Sequence, residues 1–180
     1  MDSAAIKFKI RRATFADVDE IAAVHLDSIR SIGARYYQEE IANDWGAQVT
    51  GELYVNAMAG GESFFIAVDQ LGGRCEALGF SSHRIERDES RTAVYVRGKA
   101  VRLGIGSALF RAAESAAITA GATRICVDAS LAAVEFYRAI GFKELGRGEH
   151  RLLSGRRMAC VFMRKNLAGP NLEPPSSSGG

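Results

Sequence analysis

The stretch 94–109, VYVRGKAVRLGIGSAL, restricts this chain more than any other. Val94, Tyr95 and Val96 read as a strand, being β-branched or aromatic. That strand runs into a loop carrying Gly98, Gly104 and Gly106, and the loop into a long helix over 104–120. Glycine brings no side chain, so main-chain N–H groups at the helix start can face an anion. The helix dipole adds to that attraction. From Arg97 to Arg111 there are four cations (Arg97, Lys99, Arg102 and Arg111) and no acid, which suits a pyrophosphate. Two other readings stay open. The glycines can serve close packing alone, or Gly104-Ile105-Gly106 can begin a dinucleotide fingerprint, with Asp128 ending a later strand. Against the fingerprint, its third glycine position is Leu109. Seven residues also separate Val96 from Gly104, where the fingerprint needs its glycines at the strand end.

Composition narrows the rest. Across 180 residues, 23 Lys and Arg stand against 21 Asp and Glu, a net charge of +2, with 47% hydrophobic residues. This is globular composition with enough chain for one domain and no charge excess that argues for nucleic acid. Cys75, Cys126 and Cys160 are widely spaced, so neither a disulfide framework nor a zinc site is expected. No run approaches the ~20 apolar residues of a membrane span, and no signal segment is visible at the N-terminus. A cytoplasmic setting without membrane or metal is the expectation. All three prolines fall within the last eleven residues, and 168–180 reads as a disordered tail behind a domain at 1–167.

Periodicity predicts the elements between. Ile6, Phe8 and Ile10 alternate with lysines as a first strand. Thr14 and Asp17 sit three apart, as in a capping box, ahead of a helix whose Val18, Ile21, Ala22, His25 and Ile29 share a face. Helices follow over 35–45 and 52–59, the latter stopped by Gly60-Gly61. Strands are expected at 63–69 and 76–83 around a turn at 71–74, then a polar loop or bend at 84–91 and a strand at 92–96. After the long helix come a strand at 124–128, a short helix at 131–140 capped by Ser130, and strands at 143–150 and 158–164. The fold class is α+β, a mixed α/β single domain with helices covering a mostly antiparallel sheet.

Two motifs together resemble the GNAT superfamily of N-acetyltransferases. One is the loop Val101-Arg102-Leu103-Gly104-Ile105-Gly106. The other is Ala133-Val134-Glu135-Phe136-Tyr137-Arg138-Ala139-Ile140-Gly141-Phe142. The resemblance spans roughly 7–165. It departs from the family pattern at Val101, where Arg or Gln is usual, at Gly98, often proline, and at Ser130, often Asn. It implies a splayed sheet and an acetyl-CoA site built from Val94, Tyr95, Val96, Val101, Arg102, Leu103, Gly104, Ile105, Gly106, Ser107, Ser130, Ala133 and Tyr137.

The resemblance also implies transfer of an acetyl group from acetyl-CoA to an amine by direct attack. Tyr137 would protonate the CoA thiolate, a main-chain N–H near Val96 would meet the carbonyl oxygen, and no metal is needed. For a base the nearest carboxylates are Glu89 and Asp88, with Glu86 and His83 as alternatives, or a water chain. His25, Tyr36, Tyr37 and Trp45 either pack or line the acceptor side. Cys126 reads as a small buried hydrophobe. The basic hairpin 147–157 either faces solvent or meets an anionic acceptor. Members of the family often pair, which allows a homodimer. Two other functions stay open: a non-catalytic acyl-CoA sensor of the same fold, and an NAD(P)-dependent oxidoreductase.

Overall fold

In the computed structural model residues 7–70 and 76–167 are described. Ile6, the turn expected at 71–74, Cys75 and the tail 168–180 lie outside them. Strand β1 (Phe8–Arg12) leads to Thr14, whose side chain accepts from the Ala16 N–H at 3.3 Å. Asp17 accepts from the Thr14 N–H at 2.8 Å and completes the capping box. A short 3-10 turn then enters α1 (Val18–Ser31), and all five residues of its expected face are buried. The next helix begins later than its apolar pattern suggests. Gly33–Arg35 is a separate 3-10 turn, and α2 (Glu39–Ala47) starts where Glu39 and Glu40 meet the positive end of the helix dipole. Helix α3 (Gly51–Ala59) is capped by Thr50 and ends at Gly60-Gly61.

Among the described residues seven strands form one sheet. They are β1, β2 (Ser63–Asp69), β3 (Ala77–Glu86), β4 (Glu89–Val96), β5 (Arg124–Ser130), β6 (Lys143–Arg151) and β7 (Arg157–Asn166). Their order is β1-β2-β3-β4-β5-β7-β6; β4 and β5 run parallel and the other neighbours pair antiparallel. Helix α4 (Ile105–Thr119) joins β4 to β5, and α5 (Val134–Ala139) joins β5 to β6.

Two expected boundaries are corrected. The segment 84–91 is no open loop, and its bend is confined to Arg87-Asp88: β3 and β4 stay paired through Arg84↔Arg91, Ile85↔Ser90 and Glu86↔Glu89. Ladder hydrogen bonds are indifferent to side-chain polarity, so a charged hairpin end pairs as well as an apolar one when its side chains reach water. Ser130 is not a helix cap either. It is the last residue of β5, paired with Cys160, and Ala133 stands at the N-cap of the shorter helix α5.

The core has two sides. Ile21, Val24, Tyr54, Phe64, Ile66 and Phe80 pack under α1 and α3, while Leu78, Ile105 and Leu109 pack under α4. Across the later strands, Phe110, Val127, Tyr137, Val161 and Met163 form a further cluster. Among the described residues no helix is long and apolar enough to cross a membrane.

Candidate active site

The parallel pairing of β4 with β5 covers three positions, Glu89↔Arg124, Ser90↔Ile125 and Arg91↔Cys126, and then stops. Beyond it β5 keeps only its other neighbour, β7, as far as Ser130↔Cys160. The sheet is therefore split along the far half of β4. The Arg97 N–H bonds the Leu78 carbonyl at 2.9 Å. Main-chain direction alternates along an antiparallel strand, so odd-numbered N–H groups of β4 face β3. The N–H groups of Val94 and Val96 therefore face the split.

A cavity of about 200 Å³ passes through this opening. Its wall includes Val94, Ala133 and Tyr137, toward α5, and Arg91, Asp128 and His150, toward the opposite face. Trp45 and Met158 close it from α2 and β7. Tyr137 is 3% exposed and packs its ring against Phe136 and Phe142, each at 5.1 Å between centroids. Burial pushes its phenol pKa up, opposed by the Val94 main-chain hydrogen bond to the phenol oxygen. The hydroxyl thus stays protonated and sits on the open edge of β4.

The glycine loop lies beside this opening. Gly104, at φ 77, is the N-cap of α4, and among the described residues no side chain caps the helix. Its first turn carries no acid. A Cβ on Gly106 would lie 3.2 Å from the Phe136 ring and 3.6 Å from Val96, so the helix start is pressed between β4 and α5. Val101 and Leu103 stand 40% and 45% exposed, which leaves an apolar lip on the loop. Val94, Tyr95, Ser130, Ala133 and Tyr137 thus share one cavity wall, while 101–107 form the adjoining surface.

Glu89 is not brought to the cavity. It lies at the paired end of β4, its carboxylate 3.1 Å from Arg124 and 3.6 Å from the Cys126 sulfur. Asp88 also meets Arg124, Glu86 meets Arg84, and His83 is buried in β3. None of the four is on the cavity wall. His25 stays behind that wall, its ring centroid 4.0 Å from that of Tyr95 and its Nδ1 2.7 Å from the Tyr54 hydroxyl. Tyr36 is exposed. Tyr37 reaches across the cleft mouth: it donates to the Ala159 carbonyl at 2.8 Å and accepts from the Leu131 N–H at 2.7 Å.

The arginines of the last hairpin have partners. Arg156 meets Asp44 and Glu40 of α2, Arg157 meets Glu149, and Arg147 meets Glu144. Ser154 also donates to Asp44, so the hairpin is tied to α2.

Sequence reasoning overlooked one group in the cavity. Arg91 donates to Asp128 at 2.7 Å, and Asp128 lies 3.4 Å from Nδ1 of His150. The His150 contact, with Arg91, holds the Asp128 carboxyl below the usual range against the effect of burial. Only the alternation of β5, with Cys126, Asp128 and Ser130 on one face, hints at this placement. Among the described residues no group of three or more His, Cys, Asp or Glu could hold a metal ion.

Comparison with known proteins gives a consistent result. Residues 33–162 match the model of the acetyltransferase (GNAT) domain. A GCN5-related N-acetyltransferase from Rhodopseudomonas palustris superimposes with a TM-score of 0.77 at 28% identity, over 93% of this chain and 99% of that one. The PaiA N-acetyltransferase of Thermoplasma acidophilum, solved with coenzyme A, gives 0.70 at 19% identity over 90% and 100%. A phosphinothricin acetyltransferase from Sinorhizobium meliloti, solved with acetyl-CoA, gives 0.64 at 20% identity over 94% of each chain. No curated protein matches by sequence.

Proposed function

The chain belongs to the GNAT acetyltransferases, and on that premise we propose that it moves an acetyl group from acetyl-CoA to an amine, with Tyr137 as proton donor to the departing thiolate. The carrying observation is the cavity that crosses the sheet. It offers a protonated phenol on one side and a polar, charged wall on the other. A donor and an acceptor can meet there from opposite faces.

The uncapped start of α4 supplies N–H groups from Ile105, Gly106 and Ser107 for the pyrophosphate, with Arg102 beside it. Val101 and Leu103 offer apolar contact, and the edge of β4 left by β5 can bond an extended amide chain through the carbonyls of Val94 and Val96, as a neighbouring strand would. Ser130 and Ala133 flank the thioester end. The Val96 N–H then faces the carbonyl oxygen as it gains charge, a contact that strengthens only in the transition state. A phenol with a raised pKa is a weak acid in water. Here the thiolate is expelled into the same dry surroundings, which raise its own proton affinity, so the two remain matched.

The test is Tyr137→Phe, assayed by thiol release. Turnover should fall by about 10²–10⁴-fold, the range of a lost acid, while thermal stabilisation by acetyl-CoA persists. Equal loss of both would make the phenol a packing element. A wild-type protein that is stabilised by acetyl-CoA but releases no thiol with any amine would be a sensor.

A further inference from the structure

An alkylamine with a pKa near ~10.4 is almost wholly protonated at pH 7, and its neutral form costs about 4–5 kcal/mol. A base on the acceptor side would lower that cost. The titratable side chains on the cavity wall, among the described residues, are Arg91, Tyr95, Asp128, Tyr137 and His150. Arg91 stays charged at any working pH. Tyr137, buried, and Tyr95, half-buried, are phenols on the wall that stay protonated at neutral pH, able to give a proton rather than take one. Asp128 is already held between Arg91 at 2.7 Å and His150 at 3.4 Å. His150 remains, 47% exposed and so able to exchange protons with solvent.

We propose that His150, oriented by Asp128, takes the proton from the ammonium group of the acceptor. This rests on the acetyl-transfer reading above. A carboxylate facing Nδ1 selects the tautomer with its proton on Nδ1 and leaves the lone pair on Nε2. The acceptor's N–H bond breaks, and a new N–H bond forms at Nε2. The electron pair left on the acceptor nitrogen is the one that attacks, and the imidazolium returns its proton to water. Arg91, from β4, fixes Asp128 and so acts as a positioning residue at one remove. The neighbouring charges are engaged elsewhere: Glu149 with Arg157 at 3.1 Å, and Asp44 of α2 with Arg156 and Ser154. The carboxylates nearest in sequence to β4, Asp88 and Glu89, are held by Arg124 away from the cavity.

The experiment compares two kinds of acceptor. One is the fastest primary alkylamine or amino acid from a panel, charged at pH 7; the other is methoxyamine, uncharged at pH 7 and in no need of a base. With His150→Gln, kcat/KM for the charged acceptor should fall about 10²–10⁴-fold, and that for methoxyamine by no more than about threefold. Asp128→Asn should reduce the same ratio by about tenfold, and acetyl-CoA should still stabilise both variants thermally. Equal losses on both acceptors, or none on either, would overturn the role of His150 alone. A wild-type protein that releases CoA with neither acceptor would overturn the transfer reading, and the proposal with it.

Discussion

His25 shows how one polar atom can be tolerated inside an apolar wall. Its ring lies among Trp45, Tyr54, Phe80 and Tyr95, with only Nδ1 hydrogen-bonded and Nε2 buried without a partner among the described residues. Burial lowers its pKa to about 3, so it is neutral in the folded chain through the whole physiological range. Unfolding restores the ordinary value of 6.5. The unfolded chain therefore gains a proton below pH 6.5 that the folded chain refuses. Stability is full above 6.5 and falls as pH drops through 6.5 toward about 3, by about 1.4 kcal/mol per unit. His83 adds to this in the same direction, through burial and the nearby charge of Arg12. Urea unfolding at pH 7 and pH 5 should show a loss in the wild type about 2 kcal/mol larger than in His25→Leu. Equal losses would show that His25 is protonated in place.

At the scale of elements, the helix start at Gly104 carries the sharpest local prediction. With φ at 77 and, among the described residues, nothing within 4 Å of an added Cβ, a side chain there has room but the wrong backbone. Gly104→Ala should therefore cost about 1–2 kcal/mol in thermal unfolding, the price of a left-handed non-glycine residue. It should also weaken acetyl-CoA binding, measured by calorimetry, as the N–H groups of α4 turn away. Glycines, caps and apolar periodicity are local signals, and where they governed an element it was readable: α1, α4 and β2 lie where they were expected. Charge-rich strand ends were not readable. In 84–91 the side chains signal solvent, while the backbone is committed to its partner strand. Ser130 misled for a similar reason, since a good capping residue also ends a strand well when the strand beside it is long enough.

For the whole molecule, ligand linkage gives the decisive number. Acetyl-CoA at ~100 Kd should add about 2.7 kcal/mol and raise Tm by roughly 5–10 °C for a chain of this size. Thermal unfolding with NADPH as the control checks this, and a rise with NADPH alone would refute the acetyltransferase reading. The side of the cleft proposed for acetyl-CoA is one that sequence could point to, because two contiguous motifs supply most of its residues. The proposed acceptor side is not, because Arg91, Asp128 and His150 come from β4, β5 and β6, 37 and 22 residues apart, and meet only through strand register. The break between β4 and β5 interrupts the ladder without freeing its two sides. Phe110 of α4 packs on Phe142, Arg91 bonds Asp128, Ser154 bonds Asp44, and the Tyr37 hydroxyl reaches both Leu131 and Ala159. The gap is a fixed slot with one continuous core beneath it. Calorimetry should therefore show a single unfolding transition for the empty protein as for the loaded one, and two separate peaks would refute this.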